Sequence, residues 1–215
     1  MNKSVILKKC LLFAATFILI AGVQHSVMGQ TEKGMALFNA LEFKGAEDAF
    51  RGAVADDPEN IEAGYYLGLS LLMQGKYEEA SNALEKVKAS GKDRIPDKGQ
   101  LDIALTHIYL ELDKFPEALK SLDGAEKAKA NPADIHAFRG ACYLEKDNDA
   151  QKGLEELEKA LGMDPENAYA YYYSGYAHVR LGHPAKAVQM LRRFLELAPY
   201  APEAEKAKIL IDALC

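Results

Sequence analysis

Residues 61–94 read IEAGYYLGLSLLMQGKYEEASNALEKVKASGKDR. Apolar positions step by three and four along two successive stretches, Ala63, Leu67 and Leu71 on the first and Ala80, Leu84 and Val87 on the second. That spacing is one face of an α-helix, repeated. The landmarks recur along the chain. Gly68 belongs to a series Gly34, Gly68, Thr106, Gly140, Gly175 that steps by 34, 38, 34 and 35 residues, and Ala80 to a series Ala46, Ala80, Ala118, Gly153, Ala187. Small residues that keep register through five units predict a repeat array, in which each unit is a pair of helices unable to bury its apolar face alone.

These units resemble tetratricopeptide (TPR) repeats, whose landmarks are small residues at the helix crossing and a proline that closes the unit. The second unit matches best, with Leu67-Gly68, Leu71, Tyr77, Ala80, Leu84 and Val87 in place. The fifth carries Tyr171 in the slot usually held by tryptophan, then Gly175, Ala187, Leu191, Phe194 and Pro199. The third departs at Thr106, and the fourth at Gly153 and by one extra residue in the turn from Asp147 to Ala150. The resemblance runs from about Thr31 to Pro199. It implies an all-α fold, a right-handed α-solenoid of five helix-turn-helix units at about 30–60, 61–94, 99–132, 133–167 and 168–201. Beyond it, Ala204, Ala207, Leu210, Ile211 and Leu214 fall on one face of a helix and Glu203, Glu205, Lys208 and Asp212 on the other. Residues 202–215 are therefore expected to cap the open end of the solenoid, Glu203 facing water. The stretch from Ser90 to Gly99 is either a longer surface loop between units or a bend between a two-unit and a three-unit block.

The first 29 residues are unlike the rest. Lys3, Lys8 and Lys9 precede an apolar run of 13 residues, Leu11 to Val23, and then Val27-Met28-Gly29. This is the layout of a secretory signal peptide cleaved after Gly29, the run being shorter than the roughly 20 residues of a spanning helix. An uncleaved membrane anchor is the competing reading. Cleavage would take three of the 26 basic side chains and none of the 32 acidic ones, leaving 23 against 32, net −9. Such a surface repels phosphate backbones, which argues against nucleic acid as a partner. Cys142 and Cys215 alone would remain, too few for a disulfide framework; Cys142, beside Gly140 and Tyr143, reads as a small buried hydrophobe. For a tetratricopeptide protein of this size with a secretory signal, the resemblance implies the bacterial periplasm.

No phosphate loop, His-Glu-x-x-His, Gly-x-Ser-x-Gly or Cys-x-x-Cys pattern occurs. His107, His136, His178 and His183 have no carboxylate or cysteine at ligand spacing, and Glu155, Glu156 and Glu158 share a helix with Lys152 and Lys159 as a solvated face would. No catalytic residue, metal site or cofactor is expected. The resemblance implies instead a non-catalytic scaffold whose first helices line a concave surface for an extended peptide or a partner helix. In register, that surface takes Tyr65, Leu69 and Leu72 from the second unit and Ile103, His107 and Leu110 from the third. Ala137, Ala141 and Leu144 follow from the fourth, and Tyr169, Tyr172, Tyr176 and Arg180 from the fifth. Chaperone-binding relatives hold a terminal carboxylate with lysine and asparagine at slots filled here by Thr31, Met35, Tyr65, Leu69, Ile103 and His107, so that ligand is not expected. Tyr171 reads as core. The stripe Tyr169, Tyr172, Tyr176 has two placements, toward a partner or packed within the fifth unit and against residues 202–215. With no cap before the first unit, the front end is the expected place for a homo-oligomer contact or for membrane proximity through the N-terminal segment.

Overall fold

The computed structural model describes residues 29–91, 95–145 and 148–215, so the signal or anchor segment lies outside the described residues. Every regular element in these is a helix. The first is α1 (29–39), followed by α2 (Phe43–Asp56), α3 (Ile61–Leu72), α4 (Tyr77–Ala89), α5 (Lys98–Glu111) and α6 (Phe115–Lys127). Then come α7 (Pro132–Glu145), α8 (Ala150–Met163), α9 (Ala168–Arg180), α10 (Pro184–Leu197) and α11 (Ala204–Leu214). Odd and even helices pair into five antiparallel units that stack in chain order, with α11 against α10. None of the described helices is long and apolar enough to cross a membrane.

The glycine series marks the closest approach within each pair. A Cβ on Gly68 would lie 2.4 Å from Leu84 Cδ2, one on Gly34 2.6 Å from the Phe50 ring, and one on Gly175 2.6 Å from Leu191 Cγ. In the fourth unit the approach is two-sided. A Cβ on Gly140 would meet Gly153 O at 2.9 Å, and one on Gly153 would meet Gly140 O at 3.2 Å. The double glycine that makes this unit look irregular is therefore a tighter crossing. Thr106 takes the small position of the third unit by bonding its hydroxyl to Asp102 O at 2.8 Å, so its polar atom is satisfied where it is fully buried. Ala46, Ala80, Ala118 and Ala187 are all wholly buried.

Each turn between paired helices places one residue in the left-handed region: Leu41, Gly75, Asp113, Asn148 and Gly182. The following amide donates back to a carbonyl five residues earlier, as in Lys76 N to Leu71 O at 3.0 Å and His183 N to His178 O at 2.8 Å, which satisfies the end of the odd helix. In the fourth unit the bond spans six residues, Asp149 N to Tyr143 O at 2.9 Å, absorbing the extra residue.

Asn60, Asp97 and Asn167 start α3, α5 and α9 by accepting from the amide three residues on, at 2.8–2.9 Å. Asn60 Nδ2 also donates to Thr31 Oγ1 at 3.2 Å and Asn167 Nδ2 to Asp134 Oδ1 at 2.7 Å, each in the preceding unit. Across the longer connection, Lys88 pairs with Asp102 and Tyr109 bonds Glu85, so α4 and α5 are tied like other neighbours and the stack is continuous from the second unit to the third.

Several expectations change here. Tyr171 is only half-buried and donates its hydroxyl to Pro165 O at 3.0 Å, whereas Tyr172 and Tyr173 are each 3% exposed. Glu203 does not face water: it is completely buried, while Ala204, Ala207 and Ile211 carry the apolar contact with α10 and Leu210 and Leu214 are half-buried. Glu156 turns inward to His136 at 2.7 Å, leaving Glu155 and Glu158 in solvent. Cys142 is buried and Cys215 exposed.

Candidate functional site

The odd helices face a common groove, and two chambers open along it. The front chamber, about 230 Å³, takes Phe38 from α1, Leu69 and Leu72 from α3 with Met73 after it, and Ile103, Ala104 and His107 from α5. Asp134 and Phe138 of α7 and Tyr169 of α9 close it. The rear chamber, about 210 Å³, is walled by Leu110, Glu111, Asp113, Glu145, Tyr172, Tyr173, Tyr176 and, from α11, Lys206. The front wall is largely hydrocarbon and aromatic. The rear one combines tyrosine rings with three carboxylates.

Eight of the thirteen residues expected to line the surface are in these walls, Leu69, Leu72, Ile103, His107 and Tyr169 in front and Leu110, Tyr172 and Tyr176 behind. Their exposure is uneven. Leu69, Tyr169 and Tyr176 are half-buried, while Leu72, Ile103, His107 and Leu110 are buried in the wall. Tyr172 contributes only an edge, because its ring packs 4.9 Å from those of Phe194 and Tyr176 and 5.1 Å from that of Tyr173. Tyr65 stands apart, buried against Tyr66 with ring centres 5.2 Å apart. Arg180 reaches back to the fourth unit, donating to Leu144 O and to Glu145 Oε2, the latter at 2.9 Å. Ala137, Ala141 and Leu144 are wholly buried, and their place in the wall is taken by Asp134 and Phe138.

At the centre stands Glu203, which enters from the start of α11. Its Oε1 accepts from Tyr77 Oη at 3.0 Å and lies 2.8 Å from His107 Nε2; its Oε2 accepts from Tyr169 Oη at 3.1 Å. Burial alone would raise this carboxyl, but the His107 charge and hydrogen bond, with Tyr77, outweigh burial and hold it at about 2. Ionised Glu203 offers no proton, so His107 Nε2–H donates. Burial and then the Glu203 charge push Tyr77 and Tyr169 well above the usual tyrosine value, keeping both hydroxyls as donors. The three donors come from α4, α5 and α9, that is, from three different units. One turn along α11, Lys206 Nζ pairs with Glu111 Oε2 at 2.6 Å.

Contrary to the expectation that no histidine has a carboxylate at ligand spacing, His107 and Glu111, four residues apart on α5, join Glu203, one donor atom each within 4.8 Å of one another, the one such grouping among the described residues. Their carboxylates are already engaged internally, Glu203 with His107 and two tyrosine hydroxyls and Glu111 with Lys206. Glu203 thus fills a seat whose three donors come from other units. The arrangement has no nucleophile poised beside a base. Sequence reasoning missed Phe38, Phe138, Tyr77, Glu111 and Glu203, and for the last of these no local signal existed, since its partners lie 34 to 126 residues away.

Models of the tetratricopeptide repeat match residues 37–97 and 139–202. The chain therefore carries tetratricopeptide repeats. It is similar to the Protein SGT1 homolog of Homo sapiens, 43% identical over 53 residues, which are 25% of this chain and 14% of that protein. It is also similar to the mitochondrial import receptor subunit TOM70 of Rattus norvegicus, 28% identical over 100 residues, 46% of this chain and 16% of that protein. The matches thus span under a fifth of these curated relatives' length. Among solved structures, a thermophilic TPR protein of Thermus thermophilus superposes with a TM-score of 0.64 at 20% identity, over 87% of this chain and 98% of that one. YrrB, described as a TPR protein with an unusual peptide-binding site, gives 0.53 at 22% identity over 82% and 90%. At these identities the likeness establishes the fold.

Proposed function

We propose that this chain is an exported, non-catalytic scaffold that holds a segment of a partner protein in the groove between its odd helices. The observation that carries the reading is the front chamber, an apolar hollow reached from all five units and left open by the chain's own C-terminal helix. A hollow with hydrocarbon walls and a few polar atoms at its end is the usual form of a recognition site. The named peptide-binding property of YrrB, and the import-receptor role in the name of TOM70, agree with a segment-binding role for such repeats. Residues 1–29 act as the export signal in this reading, placing the mature chain in the bacterial periplasm or envelope.

A photo-crosslinking side chain at Leu69, on the half-open wall, is expected to trap a discrete partner in the native host, with a second copy at exposed Lys159 as control. Equal patterns from both sites would refute the groove. N-terminal sequencing of the same material is expected to begin at Gln30. A chain that starts at Met1 and stays with membranes would replace the exported form by a tethered subunit of an envelope assembly.

A further inference from the structure

We propose that the groove reads a helix carrying an acidic and a basic side chain three residues apart, and that α11, through Glu203 and Lys206, is a displaceable internal copy of that ligand. The proposal rests on the groove being the binding site.

Within α11 the buried residues are Ala204, Ala207 and Ile211, with Leu210 packed partly against the core, and the helix it packs on is α10. Glu203 adds nothing to that apolar contact. Burying a carboxylate costs free energy that even a good partner barely returns, and an apolar residue would serve stability as well. Yet donors from three units converge on it. Such a set is a recognition element, preformed because Tyr77, His107 and Tyr169 are placed by the stacking of the repeats and not by α11.

Lys206 shows the second half of the code. Its ammonium meets Glu111 beside the rear chamber, where Asp113 supplies further negative charge, Glu145 being paired with Arg180, and Tyr172, Tyr173 and Tyr176 line the wall. Carboxylates and aromatic rings together suit a cation. The occupant fills this chamber incompletely. The Lys206 side chain remains 53% exposed, and the Tyr173 hydroxyl, buried in the chamber wall, has no hydrogen-bond partner among the described residues. A longer or better placed cation, such as the arginine of a partner helix, would reach deeper. Small residues surround the acid, Ala201, Ala204 and Ala207, so the seat accepts a slender helix. At 11 residues α11 holds little helix stability of its own, so its departure costs little beyond its contacts. The front chamber shares His107 and Tyr169 with the carboxylate seat, so a ligand helix can extend an apolar side chain into it while its acid replaces Glu203.

The probe is a synthetic peptide of residues 199–215, labelled at its terminal cysteine, and the receptor is the full chain. In the Glu203→Gln, Lys206→Ala chain the internal copy is weakened while the seat is intact, and the probe is expected to bind at least about tenfold tighter than to the wild type. A probe bearing the same two changes is expected to lose that gain, as is a receptor that also carries His107→Gln. Equal binding of the two probes would overturn the proposal. So would equal binding of the native probe to both receptors. Hydrogen exchange on the unmodified chain gives a reading free of any folding defect in the variants. Amides of 204–214 are expected to exchange by local opening, ahead of those of 184–197; release only with global unfolding would refute a displaceable α11. A partner crosslinked from Leu69 together with probes of equal affinity would leave the groove standing and remove only the charge code.

Discussion

Two glycine-to-alanine substitutions in the fourth unit are expected to act with opposite sign. Gly162 sits near the end of α8 with nothing within 4 Å of the position its Cβ would take. Gly162→Ala adds a methyl in open space and removes backbone freedom from the unfolded chain, a gain of about 0.5–1 kcal/mol. Gly140 lies on α7, where the new Cβ would stand 2.7 Å from Leu157 Cγ and 2.9 Å from the carbonyl oxygen of Gly153. A side-chain end can swing aside, but a backbone carbonyl inside a helix moves only with the helix. The usual cost of overpacking, about 1–3 kcal/mol, outweighs the propensity gain, so Gly140→Ala should be destabilising by roughly 1–2 kcal/mol. At about 2–4 °C per kcal/mol for a chain of this size, the melting temperature should fall by roughly 2–8 °C for Gly140→Ala and rise by a few degrees for Gly162→Ala. Thermal and urea unfolding followed by circular dichroism measure both. A Gly140→Ala chain as stable as the Gly162→Ala chain would refute the close crossing of α7 and α8.

Leu41 adopts φ 61° in the first turn, 49% exposed, and Leu41→Gly should stabilise by about 0.5–1 kcal/mol in urea unfolding because only glycine enters that region without strain. Tyr172→Ala should cost about 3–5 kcal/mol of stability, and Tyr171→Ala clearly less, since the first ring is packed and the second half-exposed; equal losses would contradict this order. Glu47, buried, would be raised by burial, yet Lys76, Arg51 and Gln74 hold it at about 2 against an ordinary 4.5, and Glu203 is held equally low. Relative to their protonated forms, the stability that ionisation of these carboxyls adds is complete above pH 4.5 and lost as pH falls toward 2, by about 3 kcal/mol per group at most. Glu47→Gln should therefore flatten the acid limb of a stability–pH profile measured by urea unfolding, and an unchanged slope would refute the assignment.

The architecture was legible because its causes are local. A small residue once per unit, every 34 to 38 residues, is what a close crossing requires, and the added residue before α8 announced its longer turn. The groove was half legible. Register placed Leu69, Leu72, Ile103, His107 and Tyr169 on one wall because one helix face repeats from unit to unit. Within the fifth unit the same register could not rank five neighbouring tyrosines. A helix wedged between its own partner and the preceding unit buries more than one face, so Tyr172 and Tyr173 went inside and Tyr171 out. Glu203 was illegible for a different reason. On a helical wheel it joins the polar face of the terminal helix, and only the assembled repeats bring it within 2.8 Å of His107, 96 residues away in the chain.

Asn60 and Asn167 each serve two elements at once, starting their own helix with one amide atom and gripping the previous unit with the other. The bond that starts the helix is local, but the second bond needs the preceding unit, so at these two junctions the cap is complete only against a finished surface. Assembly then has a direction. A polypeptide that emerges from its amino end, as every translated chain does, presents the template before the segment that needs it, so the stack can grow vectorially, each unit setting the next without waiting for the carboxyl end.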